Sequence, residues 1–234
     1  MITFVVTASA TTILHSRQVR YKNDKSVEQA INELYQMAEQ IEQEKMNKIG
    51  CDGCTKLEYL KSTGTQYIDT QYIANQLTRV ICDFQIYDLS NNGAIFGSRV
   101  GPENRMFAFY KSSAGGFGTG FANLQNDRIA TADINRHIVD KNQQYTYIDG
   151  LLKYSQPFRV FNTPGNLYVF SMNNNNTSVS STILALIYSI KIYDNDTLVR
   201  DYIPVLDKNN RPCMFDKVSK TCFYNQGTGE FLYG

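Results

Sequence analysis

A chain of 234 residues with a formal net charge of +1 and 19% charged residues carries no electrostatic footprint for nucleic acid or an anionic membrane surface. No apolar run approaches the ~20 residues that a bilayer core requires, so membrane insertion is not expected. With no Trp, the 16 Tyr and 13 Phe must supply most of the large apolar area of a core.

In chain order, the first candidate element is an apolar run over 2–6, from Ile2 to Val6, ahead of Ala8, Ser9 and Ala10. It faintly suggests a signal peptide, but it is short and no Lys or Arg precedes it, so a short strand is expected. The Thr- and Ser-rich stretch over 1–18 suits an extended anchor that adds to a partner's sheet edge.

A helix is expected over 26–46. Ser26 or Asp24 can cap it, and Glu28 places a negative charge near the positive end of its dipole. Val27, Ile31, Leu34, Ala38 and Ile41 are spaced by four, three, four and three. That is a coiled-coil seam sustained for about two heptads, until Lys45 and Lys48 interrupt it. Self-association through this stripe is the expectation, with a homotrimer favoured over a dimer. The alternative is an amphipathic helix lying on its own β domain. Gly50 suits a helix C-cap and Gly53 a further tight turn, so the chain divides into an N-terminal region over 1–50, a hinge over 51–56 and a second domain over 57–234.

After the hinge the pattern changes from helical to strand-like. Strands are expected over 78–88, 94–98, 106–110 and 166–171, where β-branched and aromatic residues cluster. Asp149-Gly150 separates two apolar strands over 145–154, and an Asp-Gly pair suits a type I′ hairpin turn. The run over 183–193, the turn Asp194-Asn195-Asp196 and the run over 197–203 read as a second hairpin. Many short strands with frequent turns predict a mainly β protein, an antiparallel two-sheet jelly roll, and about 180 residues is ample for one such domain.

Three runs carry a resemblance. They span 57–70 (Leu57, Glu58, Tyr59, then Ser62-Thr63-Gly64-Thr65-Gln66-Tyr67-Ile68-Asp69), 190–204, and 214–231 (Met214-Phe215-Asp216-Lys217, then Asn225-Gln226-Gly227-Thr228-Gly229). Together they resemble the laminin-G and concanavalin A-like jelly-roll domains of phage and gut-bacterial proteins. The resemblance covers about 56–234 and implies a fold that carries lectins, hydrolases and inert modules alike. A second, shorter stretch retains Val19, Tyr21, Ser26, Val27, Ala30, Ile31, Glu33 and Leu34. It resembles a segment of phage fibre and neck-appendage proteins that bundles with copies of itself, but lacks their longer Gly- and Asn-rich linker.

Candidate chemistry is sparse. Cys51 and Cys54 have the spacing of a redox pair or half a zinc site, with Cys213 and Cys222 as further ligands, but the pair follows a helix and the spacing fits no familiar knuckle. Ordinary thiols or a disulfide are expected, with no metal and no cofactor. Concanavalin A-like hydrolases carry Glu-x-Asp-x-x-Glu or Glu-x-Asp-x-Glu on one strand, and this chain has no such run. Asp83, Asp88, Asp133, Asp140, Asp149, Asp194, Asp196 and Asp216 mostly sit in turn-like contexts. His15 and His137 lack a neighbouring nucleophile. No enzymatic activity is expected. A glycan-contact set is drawn from Arg105, Tyr110 and Phe117 around a Gly-rich loop and from Asn173 and Asn174 in a polar tract. The competing reading makes the first a strand, hairpin and strand with core aromatics, and the second a solvated connection.

The resemblance implies a virion protein of a tailed phage, assembled in the bacterial host cytoplasm. As a head or tail fibre or appendage it would attach to other virion proteins through 1–25, self-associate, and display a head that touches host-surface carbohydrate. The alternative is a bacterial cell-surface carbohydrate-binding module.

Overall fold

The computed structural model describes residues 27–48, 50–100, 104–176 and 178–234. The strand expected over 2–6, the anchor over 1–18 (and the wider attachment region 1–25), the Val19 and Tyr21 run, and the Asp24 and Ser26 caps lie outside the described residues. The chain divides into two units, Met1–Cys54 and Thr55–Gly234.

In the first unit, α1 (Val27–Lys48) has Glu28 in its first turn and Lys45 and Lys48 in its last, each sign opposing the dipole end it sits on. Ile31, Leu34 and Ala38 are half-buried, while Ile41 is 53% exposed and Met37 57%. Gly50, at φ +84°, donates its N–H to Asn47 O, and Cys51 donates to Met46 O. These bonds satisfy carbonyls that the last turn leaves free, as a left-handed C-cap does. Cys51 and Cys54 are joined by a disulfide.

The second unit is mainly β. Its strands are β1 (Thr55–Lys56), β2 (Leu60–Lys61), β3 (Ile68–Asn75), β4 (Thr78–Ile86), β5 (Gly93–Val100) and β6 (Asn104–Lys111). They continue with β7 (Gly116–Ala122), β8 (Leu124–Thr131), β9 (Arg136–Asn142), β10 (Tyr145–Ile148), β11 (Leu151–Ser155) and β12 (Asn162–Val169). The last are β13 (Met172–Asn174), β14 (Ser178–Ser180), β15 (Ala185–Asp194), β16 (Thr197–Leu206), β17 (Pro212–Asp216), β18 (Thr221–Phe223) and β19 (Leu232–Tyr233). Among the described residues they form two sheets. The larger runs β11-β10-β9-β4-β15-β16-β17-β18, and the smaller runs β14-β13-β5-β6-β7-β8, with β12 also paired to β5 and β3 to β12. Pairing is antiparallel except for β13 on β5. Two antiparallel sheets over one core suit a jelly-roll sandwich.

Alternation builds that core. In β4, Thr78, Val80, Cys82, Phe84 and Ile86 are buried and the residues between them half-buried, the period of two that a strand imposes. Phe84 packs edge-on against Phe109 and Phe117 of the opposite sheet, with ring centroids 5.6 and 5.7 Å away. Both expected hairpins form. Asp149 and Gly150 have φ of +53° and +77°, and Asn195 and Asp196 of +47° and +63°, the two consecutive positive values that a type I′ turn requires.

The Gly-rich stretch after Tyr110 is a strand. Phe117, Thr119 and Phe121 of β7 enter the core, while the glycines between them face β6 side chains. A Cβ on Gly118 would stand 2.3 Å from the Tyr110 ring, so the glycine lets that ring lie flat on the neighbouring strand. The three strands from β7 to β9 carry weak sequence signals. β8 is largely exposed at a sheet edge, and β9 (Arg136–Asn142) holds only two apolar residues, so ladder pairing fixes both more than propensity does. No helix among the described residues is long and apolar enough to cross a membrane.

Candidate functional site

The two ends of the sandwich are built differently. Register separates them: β3 and β12 pair from Ile68↔Val169 at one end to Asn75↔Asn162 at the other. Two of the three runs that carry the resemblance meet at the Ile68 end, whereas the third, 190–204, turns at the other end, where Asn75 Nδ2 donates to Asp194 Oδ1 at 3.0 Å. Asn225 Oδ1 accepts from Tyr67 N at 3.1 Å and Gly227 N at 2.8 Å, and its Nδ2 donates to Gly229 O at 2.8 Å. Gln66 Nε2 and Thr65 Oγ1 both donate to Thr228 O, while Thr63 N donates to Gln66 Oε1. A Cβ on Gly227 would stand 1.9 Å from Thr65 O, so only glycine fits the approach. The Ser62–Tyr67 and Asn225–Gly229 runs are thus two halves of one polar clasp. Asp216 serves the same scaffold. Its fully buried carboxylate accepts from the N–H groups of Asp201, Val218 and Ser219 and from Ser219 Oγ.

The opposite end holds an open cleft of about 460 Å³, lined by Arg105, Ala122, Asn123, Arg159, Val160 and Phe161. Arg105 begins β6, where Met106 pairs with Ala122, so the turn between β7 and β8 faces it. Arg159, Val160 and Phe161 come from the loop before β12, which the register with β3 carries to the same end. Arg105 and Ala122 have φ of +45° and +55°, a conformation non-glycine residues rarely adopt. Both guanidiniums are exposed, and among the described residues neither has a hydrogen bond or ion pair. Arg79 with Asp140, Arg136 with Asp83 and Arg211 with Asp207 are, by contrast, two-pronged pairs.

Other polar costs accumulate near the cleft. Gln144 Oε1 and both amide atoms of Gln156 are buried without a hydrogen-bond partner. Lys141 is completely buried and donates to Thr119 Oγ1 at 3.0 Å, which in turn meets Thr146 Oγ1 at 2.9 Å. Its Nζ lies 4.9 Å from the Phe107 ring centroid and 5.7 Å from that of Phe121. Burial pulls its pKa from 10.5 to about 7, because desolvation penalises the ammonium. Phe121 also packs 5.0 Å from Phe161 of the cleft wall, so one aromatic ring separates this amine from a cleft residue.

The glycan-contact residues named from sequence are scattered by the fold. Arg105 lines the cleft. Asn174 pairs with Arg99 of β5, at the same end of the smaller sheet as Arg105 but with β5 between them. Asn173 is fully buried and donates from Nδ2 to Asn166 O and Asn176 Oδ1, holding the Asn tract as an internally bonded turn. Tyr110 lies further along β6, half-buried, and donates its hydroxyl to Asp127 Oδ1. Phe117 is 1% exposed and belongs to the core. Sequence reasoning misses Arg159, Val160 and Phe161, since nothing local marks them and only strand register brings them to Arg105.

The remaining constellations are closed. His137 is held between Asp149 Oδ2 on Nδ1 (2.7 Å) and Asp133 Oδ1 on Nε2 (3.0 Å). Burial lowers its pKa but the two carboxylates more than offset this, so the net shift is upward. Asp149 also accepts from Ile138 N, which makes the trio a lock on the β10–β11 turn. Asp88 caps its own turn through Ser90. The Cys51–Cys54 bond leaves neither sulfur as the thiolate that zinc requires. Cys213 and Cys222 are thiols on paired strands, and hydrogen bonds from Cys213 and Tyr224 draw the Cys222 pKa down to about 7.

Compared with known proteins, the chain matches no protein-family model and no curated protein.

Proposed function

We propose that this chain is a structural virion protein of a tailed phage, a head or tail fibre or appendage with a laminin-G-like, concanavalin A-like head. Its N-terminal unit attaches and self-associates, and its sandwich is displayed with one end free to contact host-surface glycan. The observation that carries the reading is the division of labour within the sandwich. Two of the three runs that resemble the phage and gut-bacterial domains meet in the clasp and serve the scaffold, while the cleft holds the exposed Val160 and two exposed guanidiniums, Arg105 and Arg159, without hydrogen bonds or ion pairs among the described residues. A guanidinium surface with an exposed apolar flank, carried on loops of a rigid sandwich, suits sugar recognition. No catalysis is assigned, because Asp140 and Asp83 are paired with Arg79 and Arg136 and Asp133 and Asp149 are both held on His137. The stripe on α1 adds support, since Leu34 and Ile31 stay half-open and Ile41 more than half-exposed, an apolar cost that a second helix removes. A bacterial cell-surface binding module would share the cleft but has no use for that stripe.

Light scattering tests this directly. The full chain should give about three times its 26.6 kDa, and Leu34→Asp, which puts a charge into the seam, should give the monomer. A monomeric parent chain, or an oligomer unchanged by Leu34→Asp, would remove the fibre reading.

A further inference from the structure

We propose that the cleft binds an acidic saccharide, with Arg105 and Arg159 bracketing the carboxylate of a uronic acid residue. The inference rests on the glycan-contact reading and names its ligand class. Three observations carry it. First, the two guanidiniums come from separate elements, the start of β6 and the loop before β12, yet line one cleft. Second, neither has a hydrogen bond or ion pair among the described residues, whereas Arg79, Arg136 and Arg211 each grip a carboxylate with two nitrogens. Among the described residues these two cleft arginines thus keep their donor forks free. Third, the volume of about 460 Å³ is in the range of small-ligand sites and ample for one or two sugar rings.

A guanidinium is planar and presents a fork of donors that matches a carboxylate two-on-two. Two such forks fix a planar anion more tightly than they fix a neutral hydroxyl. The rest of the lining supplies what a sugar ring needs. Val160, 79% exposed, offers an apolar contact to the ring's C–H face over the buried Phe161, and Asn123 can pair with a hydroxyl as donor or acceptor. Two like charges lining one cleft repel one another, and an anion bound there relieves that repulsion. Lys141, one phenyl ring behind Phe161, adds positive potential when protonated.

The test is calorimetric titration of the full chain with an oligogalacturonate, its fully methyl-esterified form and inorganic phosphate. The acid form should bind, the ester at least tenfold more weakly, and phosphate alone more weakly still. Arg105→Gln and Arg159→Gln should each weaken the acid form by about tenfold to a hundredfold, the value of a charge-assisted bond. Both side chains are exposed, so the melting temperature should not move and serves as the control for folding. Equal binding of acid and ester, unaffected by either substitution, would overturn the carboxylate assignment and leave the glycan reading standing. Phosphate binding as strong as the oligosaccharide would overturn the saccharide part. No binding of any sugar in this titration or on a glycan array would overturn both readings together.

Discussion

The clasp end and the cleft end of this sandwich share the same two sheets and differ in how their polar groups are settled. At the clasp, Asn225, Gln66, Thr65 and Thr63 bond one another or nearby backbone. At the cleft, Arg105 and Arg159 carry charge without partners among the described residues, Arg105 and Ala122 hold left-handed backbone, and Gln156 is buried with its amide unbonded. Behind the cleft wall lies a buried amine. The cleft end has settled groups of its own, such as Asn75 with Asp194 and Phe161 N with Gln76, so the difference lies in the residues that line the cleft. Left-handed residues also occur elsewhere, Phe170 among them, so it is the pair of unpartnered guanidiniums in one cleft that favours the proposed binding end. The contrast also teaches that the most recognisable runs in such a chain describe how it folds.

The largest expected effect concerns the amine behind the cleft. The unfolded chain protonates Lys141 near 10.5 and the folded chain only near 7. Between those values the unfolded state binds more protons, so stability rises with pH from about 7 to 10.5 and is flat below 7, where the full penalty applies. At 1.36 kcal/mol per pH unit the span is of the order of 5 kcal/mol at most. Lys141→Met keeps the volume, removes the charge and leaves Thr119 and Thr146 bonded to each other. Denaturant unfolding at pH 7 should find it more stable than the parent, with the slope between pH 7 and 10 largely gone. A destabilised Lys141→Met would mean that the amine is structural, and the contrast between the ends would weaken.

The next effect breaks the clasp. Asn225→Ala leaves the N–H groups of Tyr67 and Gly227 without their acceptor and should cost about 1–3 kcal/mol, read as a lower denaturation midpoint. It should leave ligand binding at the far end unchanged.

The smallest effect belongs to His137. Its pKa is raised in the fold, so its contribution is complete below about 6.5, the unfolded value, and is lost as pH rises through the folded value. The carboxylates are solvent-facing, so the contribution should stay below ~1 kcal/mol. His137→Gln should remove a shallow decline in melting temperature just above pH 6.5, opposite in sign to the Lys141 slope.

Much of this fold is legible in the order of its residues. Asp149-Gly150 and Asp194-Asn195-Asp196 mark hairpins through the backbone angles they tolerate, the strand over 78–88 announces itself by alternation, and that over 106–110 by its aromatic residues. The strands from β7 to β9 are less so. In Gly116–Ala122, glycine alternates with Phe117, Thr119 and Phe121, which reads as a loop until Tyr110 is seen to need the space. Lys141 has a signal, since it shares a face with Val139 at period two, but a lysine in that position reads as solvated. Arg105 is legible as a donor, whereas Arg159, Val160 and Phe161 join it through the pairing of β12 with β3. That is long-range register, which local spacing does not carry. Asn173 and Phe117 go the other way, because a polar tract and an aromatic beside glycines look open in sequence and are buried by the ladder.

The central claim, that the clasp built from two of the recognisable runs serves the scaffold and the proposed binding lies at the cleft, is tested most directly by amide hydrogen exchange with and without the acidic oligosaccharide. The account predicts slowed exchange over 104–107, 122–124 and 158–161, and none over 62–67 or 225–229. Protection confined to the clasp, with the cleft segments unchanged, would contradict it.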